Sequence, residues 1–196
     1  MSNMPSEMYF IVNERGKEQL VIKNAKIRFH NYAGLQTDFN QAGNRNFDVI
    51  LPDNDIAVAM GEKGWNVKIR KPRDAEEDPY YTLNVRINMN SRYKPTIEQV
   101  IGRGRDNIAY DEFMLGTFDP KDPKYRRHDK DDPEKTLDDL NLTDVFLVLN
   151  GSAWESQFGS GIKAYLDQFY FKEKAPVYGN YYDEEEEEFD TEKIPF

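Results

Sequence analysis

Tyr81-Thr82-Leu83-Asn84-Val85-Arg86-Ile87-Asn88-Met89 alternates without a break. Tyr81, Leu83, Val85, Ile87 and Met89 fall on one side, and Thr82, Asn84, Arg86 and Asn88 on the other. That period of two belongs to a strand with one face in a core and one in water. The pattern recurs on either side of it. In Arg45–Leu51, Phe47, Val49 and Leu51 point inward. In Trp65–Arg70, Trp65, Val67 and Ile69 oppose Asn66, Lys68 and Arg70. Leu20–Phe29 reads as another strand, with Val21, Ala25, Ile27 and Phe29 inward and Lys26, Arg28 and His30 outward.

The remaining segments join these strands or extend them. Tyr9–Val12 is a short apolar run, suited to an edge strand or packing arm, and Asn13–Lys17 is a turn. A loop carrying Tyr32, Gly34, Phe39 and Gly43 leads into Arg45. Pro52-Asp53-Asn54 stops the next strand, and Asp55 can cap a short helix that runs through Lys63 and closes at Gly64. Lys71–Asp78 is a charged loop. Pro95–Ile101 adds a strand before Gly102-Arg103-Gly104-Arg105. Residues 106–134 are weakly patterned, and Asp119–Pro133 reads as an exposed insertion. Thr136–Leu140 fits a helical turn, Val145–Leu149 a buried run, and Ile162–Phe171 a final strand or strand pair.

Five or six twisted strands, one short helix and no regular βα alternation argue for a mainly β barrel over a parallel α/β fold. The oligonucleotide-binding (OB) barrel fits best, because its open face receives strands of nucleic acid. The expected organisation is one such domain over residues 1–178 and an acidic tail over 179–196.

Charge first argues against a polyanionic ligand, since the chain of 196 residues carries a net −10. The distribution reverses this. From Asp183 onward there are eight acids and one base, so the remainder carries only −3, and Met1–Arg105 holds 16 bases against 13 acids. A local basic face governs polyanion capture more than total charge does. With no cysteine, disulfides and cysteine-ligated zinc are excluded. Met1–Glu7 lacks the pattern of a leader, and no apolar run is long enough to span a membrane.

Binding of single strands needs cations along the phosphates and aromatic faces for the bases. The outward faces supply Lys26, Arg28 and His30, then Lys68 and Arg70, then Arg86. Arg45, Arg92, Arg103 and Arg105 extend the track, and Tyr32, Tyr80 and Tyr93 are the stacking candidates. Phe47, Trp65, Trp154 and Phe169 stand in register with aliphatic residues and read first as core, with Trp65 kept as a secondary DNA contact. Catalysis finds little support. His30 and His128 lie in unrelated contexts, no nucleophile motif or Walker loop occurs, and Asp129, Asp131 and Asp132 lack the glycine and terminal glutamate of a calcium loop. No metal and no cofactor is expected.

The last stretch, Asp183-Glu184-Glu185-Glu186-Glu187-Glu188-Phe189-Asp190-Thr191-Glu192-Lys193-Ile194-Pro195-Phe196, cannot bury its glutamates and is expected to be disordered. Its apolar tip after acid suits capture by a basic-rimmed pocket. It resembles the C-terminal tail of bacterial single-stranded-DNA-binding proteins, differing at Thr191 and Lys193, where that tail has acids. The resemblance implies recruitment of replication or recombination proteins (polymerase, helicase, primase or nuclease) through Asp190, Ile194, Pro195 and Phe196.

A second resemblance covers most of the body. Arg45-Asn46-Phe47 with Val49 and Leu51, Gly64-Trp65-Asn66-Val67-Lys68, Pro79-Tyr80-Tyr81, and Trp154 before Gly161-Ile162-Lys163-Ala164-Tyr165-Leu166 are similar, in order and spacing, to a family of tailed-phage single-stranded-DNA-binding proteins with an OB fold. This implies a non-enzymatic protein in the cytoplasm of an infected bacterium that coats and protects single-stranded DNA, with a homo-oligomer allowed. The alternative is an acidic DNA mimic that inhibits a host nuclease or restriction enzyme. It needs acids arrayed on the folded surface.

Overall fold

A computed structural model describes residues 5–72, 78–101, 104–107 and 136–174. Among these residues ten strands form in chain order: β1 (Glu7–Val12), β2 (Glu18–Lys23), β3 (Lys26–Asn31), β4 (Arg45–Ile50), β5 (Val67–Arg70), β6 (Tyr80–Ile87), β7 (Thr96–Ile101), β8 (Gly104–Asn107), β9 (Leu142–Ser156) and β10 (Gly159–Glu173). One helix, α1 (Asn54–Glu62), separates β4 from β5. The mainly β architecture with one helix is as expected, although there are more strands than five or six. The run Leu20–Phe29 is two strands because Asn24 takes a left-handed φ of 50° between them, a conformation that asparagine tolerates. The final segments lengthen into a hairpin of two 15-residue strands.

The strands form one sheet in the order β1-β2-β9-β10-β6-β4-β3, with β5 beside β6 and β7 between β10 and β8. The sheet curls until the start of β3 returns to β9, where the Ala25 N–H donates to the Val145 carbonyl at 2.9 Å. It does not close into a ladder there, so the barrel stays partly open, as OB-type barrels do. Alternation of apolar and polar faces gives way in the middle of the sheet. Val145–Leu149 on β9 and Phe169–Phe171 on β10 are buried on both sides, the signature of an uninterrupted apolar run.

The interior packs Leu20, Phe47, Val49, Leu83, Val85 and Phe169, all fully buried. The Phe47 and Phe169 rings meet at 5.8 Å with their planes 36° apart, a tilted contact of the kind aromatic pairs favour. Asp53, not Asp55, caps α1. Its extended backbone, at φ −153° and ψ 170°, lets its carboxylate accept from the Ile56 N–H at 2.7 Å. Asp55 sits inside the first turn, favourable for the helix dipole. Ala57 and Met60 anchor the helix to the core. No helix among the described residues is long and apolar enough to cross a membrane.

Beyond the barrel, β9 and β10 continue as an exposed arm tipped by Phe158, which is 89% exposed. The root of the arm is tied to the segment before β5. The Asn66 N–H donates to the Ile162 carbonyl at 3.0 Å, and the Ile162 N–H donates to the Gly64 carbonyl at 2.7 Å. Gly151 and Gly161 make this approach fit. A Cβ at Gly151 would stand 2.9 Å from Ile162 and 3.2 Å from the Trp65 ring, and one at Gly161 would overlap the Asn66 amide oxygen.

Candidate nucleic-acid interface

Strand register decides which side chains share the outer face, because directly paired residues point the same way. One row reads Lys26, Ile50, Thr82 and Lys68 across β3, β4, β6 and β5. The next reads Arg28, Asp48 and Asn84. A third carries Asn46, Arg86 and Tyr165, and continues through Asn150 to Gln19 on β2. Arg70 pairs with Tyr80 at the other end of β6. Thus Lys26, Arg28, Lys68, Arg70, Tyr80 and Arg86, all expected from alternation or strand-end position, are brought onto one continuous surface.

Most of these cations are uncommitted. Lys26, Arg28, Lys68 and Arg86 are exposed, and none forms an ion pair among the described residues. Arg28 lies over the Tyr80 ring at 5.3 Å and reaches its hydroxyl at 3.4 Å. Arg70 is held instead. Its guanidinium meets Asp48 at 2.6 Å and Thr82 Oγ1 at 3.4 Å. Asp48, only 2% exposed, also accepts from Asn84 Nδ2 at 2.7 Å and Thr82 Oγ1 at 3.3 Å. A carboxylate this buried is tolerable because it is both paired and hydrogen-bonded.

Strand β3 does not keep its alternation. Arg28 pairs with Asp48 and Asn31 with Asn46, so two residues of β3, Phe29 and His30, face the single Phe47 of β4. This is a β-bulge, and Phe29 takes a left-handed φ of 52° within it. The expectation that Phe29 points inward is therefore corrected: the ring is 61% exposed, with the Arg70 guanidinium 5.3 Å from its centroid. Uninterrupted alternation would have sent it inward, opposite Phe47. Tyr32 fills that space and meets Phe47 at 5.7 Å and Phe169 at 5.9 Å.

The expectation that Tyr32 offers a stacking face from a loop is also corrected, because the ring is fully buried. Burial, then the nearby Asp138 carboxylate, pushes its phenol far above the ordinary value. Asp138 gathers the end of β3, accepting from the Tyr32 and Ala33 N–H groups at 2.8 Å each and contacting His30 Nδ1 at 3.0 Å. Burial alone would raise the Asp138 pKa, but the bonds from His30, Tyr32 and Ala33 outweigh it and hold the carboxyl below the ordinary range. His30 stacks on Tyr32 at 5.2 Å and sits at the rim of the face. Arg45 turns inward to donate to the Tyr32 carbonyl, and its pKa is lowered by burial, a shift that Asp138 opposes. Trp65 is also largely core, at 7% exposure, and its remaining surface lines the groove beside the third row.

Arg92 and Tyr93 fall beside the third row, at a groove of about 1200 Å³ between the Asn13–Glu18 turn and the Asn88–Pro95 loop. Tyr93 is 67% exposed and lies between Arg15 at 5.5 Å and Arg92 at 5.6 Å. The groove floor is a closed amide–carboxylate triangle. Gln19 Nε2 donates to Asn150 Oδ1 at 2.9 Å and Asp167 Oδ2 at 3.0 Å, and Asn150 Nδ2 donates to Asp167 Oδ1 at 3.0 Å. Arg105 is elsewhere, on β8, paired with Glu98 at 3.7 Å and lying over Tyr170 at 5.2 Å. Arg103, the Asp119–Pro133 insertion and the tail residues Asp190, Ile194, Pro195 and Phe196 lie outside the described residues.

Sequence reasoning missed Phe29, Arg15 and Tyr165. Tyr165 was within reach through its alternation with Ala164 and Leu166. Arg15 was read only as part of a turn, and nothing local in the sequence announces the bulge at Phe29.

An open mainly β barrel whose outer face carries free cations and aromatic rings is the architecture of a single-strand nucleic-acid-binding domain. Residues 11–188 match the family described as "Putative phage ssDNA-binding domain", and the chain belongs to that family. Among solved structures it is similar to the C-terminally truncated single-stranded DNA-binding protein of bacteriophage Enc34, at 9% identity and a TM-score of 0.47, over 85% of this chain and 91% of that one. The untruncated Enc34 protein aligns at 10% identity and a TM-score of 0.45, over 94% and 92%. The same protein in complex with ssDNA aligns at 9% identity and a TM-score of 0.44, over 91% and 100%. No curated protein matches the chain.

Proposed function

We propose that this protein binds single-stranded DNA along the outer face of β3, β4, β6 and β5, largely without regard to sequence. In this role it coats and protects DNA during phage replication or recombination in the cytoplasm of the infected host. The observation that carries the reading is the set Lys26, Arg28, Lys68 and Arg86, exposed and without ion pairs among the described residues, on one surface with the Tyr80 ring. Phosphates need such cations, and sequence-tolerant binding needs ring faces rather than base-edge donors. The acids of this surface are spent on internal partners, Asp48 on Arg70 and Asp138 on the end of β3, which disfavours a DNA mimic. Arg92, Tyr93 and Arg15 extend the track past Arg86. The acidic tail recruits replication or recombination enzymes through Asp190, Ile194, Pro195 and Phe196, and competes with DNA for the cationic face.

Fluorescence anisotropy with labelled oligo-dT at two salt concentrations, with duplex competitor, tests this. Tight binding that weakens steeply with salt and resists the duplex is expected. No binding, with the tail present or removed, overturns the reading and puts the DNA mimic first.

A further inference from the structure

The bulge in β3 gives the place in the core to Tyr32 and leaves Phe29 outside. A bulky residue with left-handed backbone is uncommon and is strained. Here the strain takes an apolar ring out of a core where Phe47 and Phe169 already make an aromatic cluster and leaves it 61% exposed. Such strain persists only where the surroundings over-determine it, and it collects at binding sites. The surroundings in this case are specific. Asp48, buried and fixed by Thr82 and Asn84, holds Arg70 at 2.6 Å. Arg70 in turn lies 5.3 Å from the Phe29 centroid. With its charge matched by Asp48, Arg70 serves less as a phosphate contact than as a planar backing for the ring.

We propose that Phe29 is a preorganised base-stacking platform, its ring held outward by the bulge and backed by the Asp48–Arg70 pair, so that one base of a bound single strand lies on its open side. This rests on the proposed binding of single-stranded DNA and adds the residue that takes a base rather than a phosphate. The neighbouring Arg28 and Lys26 on β3 lie where the flanking phosphates of that nucleotide would pass.

The test uses the full-length protein and two probes, oligo-dT and an oligomer of abasic sites with the same number of phosphates. Phe29→Asn removes the ring and places there a residue at ease in left-handed backbone, so the variant should melt at the wild-type temperature or higher. Its affinity for oligo-dT should fall about 5- to 150-fold, the usual range for one stacked base. The slope of log affinity against log salt should be unchanged, because no phosphate contact is lost. The abasic oligomer should bind both proteins equally, and Phe29→Trp should retain oligo-dT affinity. If wild type and Phe29→Asn bind oligo-dT equally, the platform is overturned while the general reading stands. An equal loss on both probes also overturns it, since the ring would then be shaping the cationic track. If wild type binds neither probe, the general reading falls and takes the platform with it.

Discussion

Asp138 ties the turn before β9 to the end of β3 by holding three donors at 2.8 to 3.0 Å. Its neighbour Thr136 opens the short turn that presents it, with Asp139 accepting from the Thr136 N–H at 2.9 Å. One carboxylate thereby fixes the direction in which β3 leaves the outer face. The pKa of Asp138 is held below the ordinary carboxylate value, so its folded state prefers the charged form more than the unfolded chain does. The stabilisation from this ion is complete above the unfolded value of about 3.9 and is lost as pH falls through the lower native value. Asp138→Asn keeps one acceptor and loses the charge. It should cost about 1–3 kcal/mol at neutral pH. The gap between variant and wild type, measured by chemical denaturation, should narrow as the acid limb is descended. A gap that stays constant with pH would show that shape rather than charge holds the turn.

At the scale of the element, the arm made by the outer halves of β9 and β10 depends on one point of backbone contact. A methyl group added at Gly161 would come within 3.2 Å of both the Gly64 carbonyl and Trp154 Nε1, and would press on the Asn66 amide oxygen. The Asn66 side chain must swing aside, and the Gly64 carbonyl must yield by a few tenths of an ångström, which strains the two backbone bonds to Ile162. Gly161→Ala should therefore destabilise the protein by roughly 1–3 kcal/mol. Gly61→Ala in α1, where nothing lies within 4 Å, should be neutral or stabilising by up to about 1 kcal/mol, since glycine is a poor helix former. Thermal melts of the pair decide it, and equal effects would remove the arm-root contact from the explanation. Elements of this kind also mark what the sequence could convey. Periodicity located β4, β6 and the start of β5, because each of these strands alternates against a single core. At the far end of β5 it misplaced Ile69, which is 64% exposed where the strand runs past the edge of that core. It said little about Phe29 and Tyr32, because a bulge exchanges which of two aromatic rings is buried without changing composition, and the choice is made by Phe47 and Phe169 across the barrel. For the same reason Lys26, Arg28, Lys68, Arg70, Tyr80 and Arg86 were legible as one face and Trp65 as core, whereas Arg45, turned inward by contacts distant in sequence, was not.

At the scale of the whole molecule, the unequal placement of charge is the property with the widest consequence. The chain carries a net −10, and residues 183–196 account for eight acids and one base of it. A polyanionic segment tethered to the protein that holds Lys26, Arg28, Lys68 and Arg86 has a high effective concentration at that face, set by the length of chain between them. If it reaches the cations that the phosphates of DNA would meet, the two compete. Competition of this sort is electrostatic and nonspecific, and it fades once the Debye length shrinks to about 3 Å near 1 M salt. Deleting Asp183–Phe196 should therefore strengthen oligo-dT binding by roughly three- to tenfold at low salt, about 1 kcal/mol. The full-length and shortened proteins should converge as salt rises. The shortened protein should also show a steeper salt dependence, because counterions that the tail had displaced now return to the face and are released only by DNA. Equal affinities at low salt would mean that residues 183–196 never reach the cationic strands, and would confine their role to recruiting other proteins.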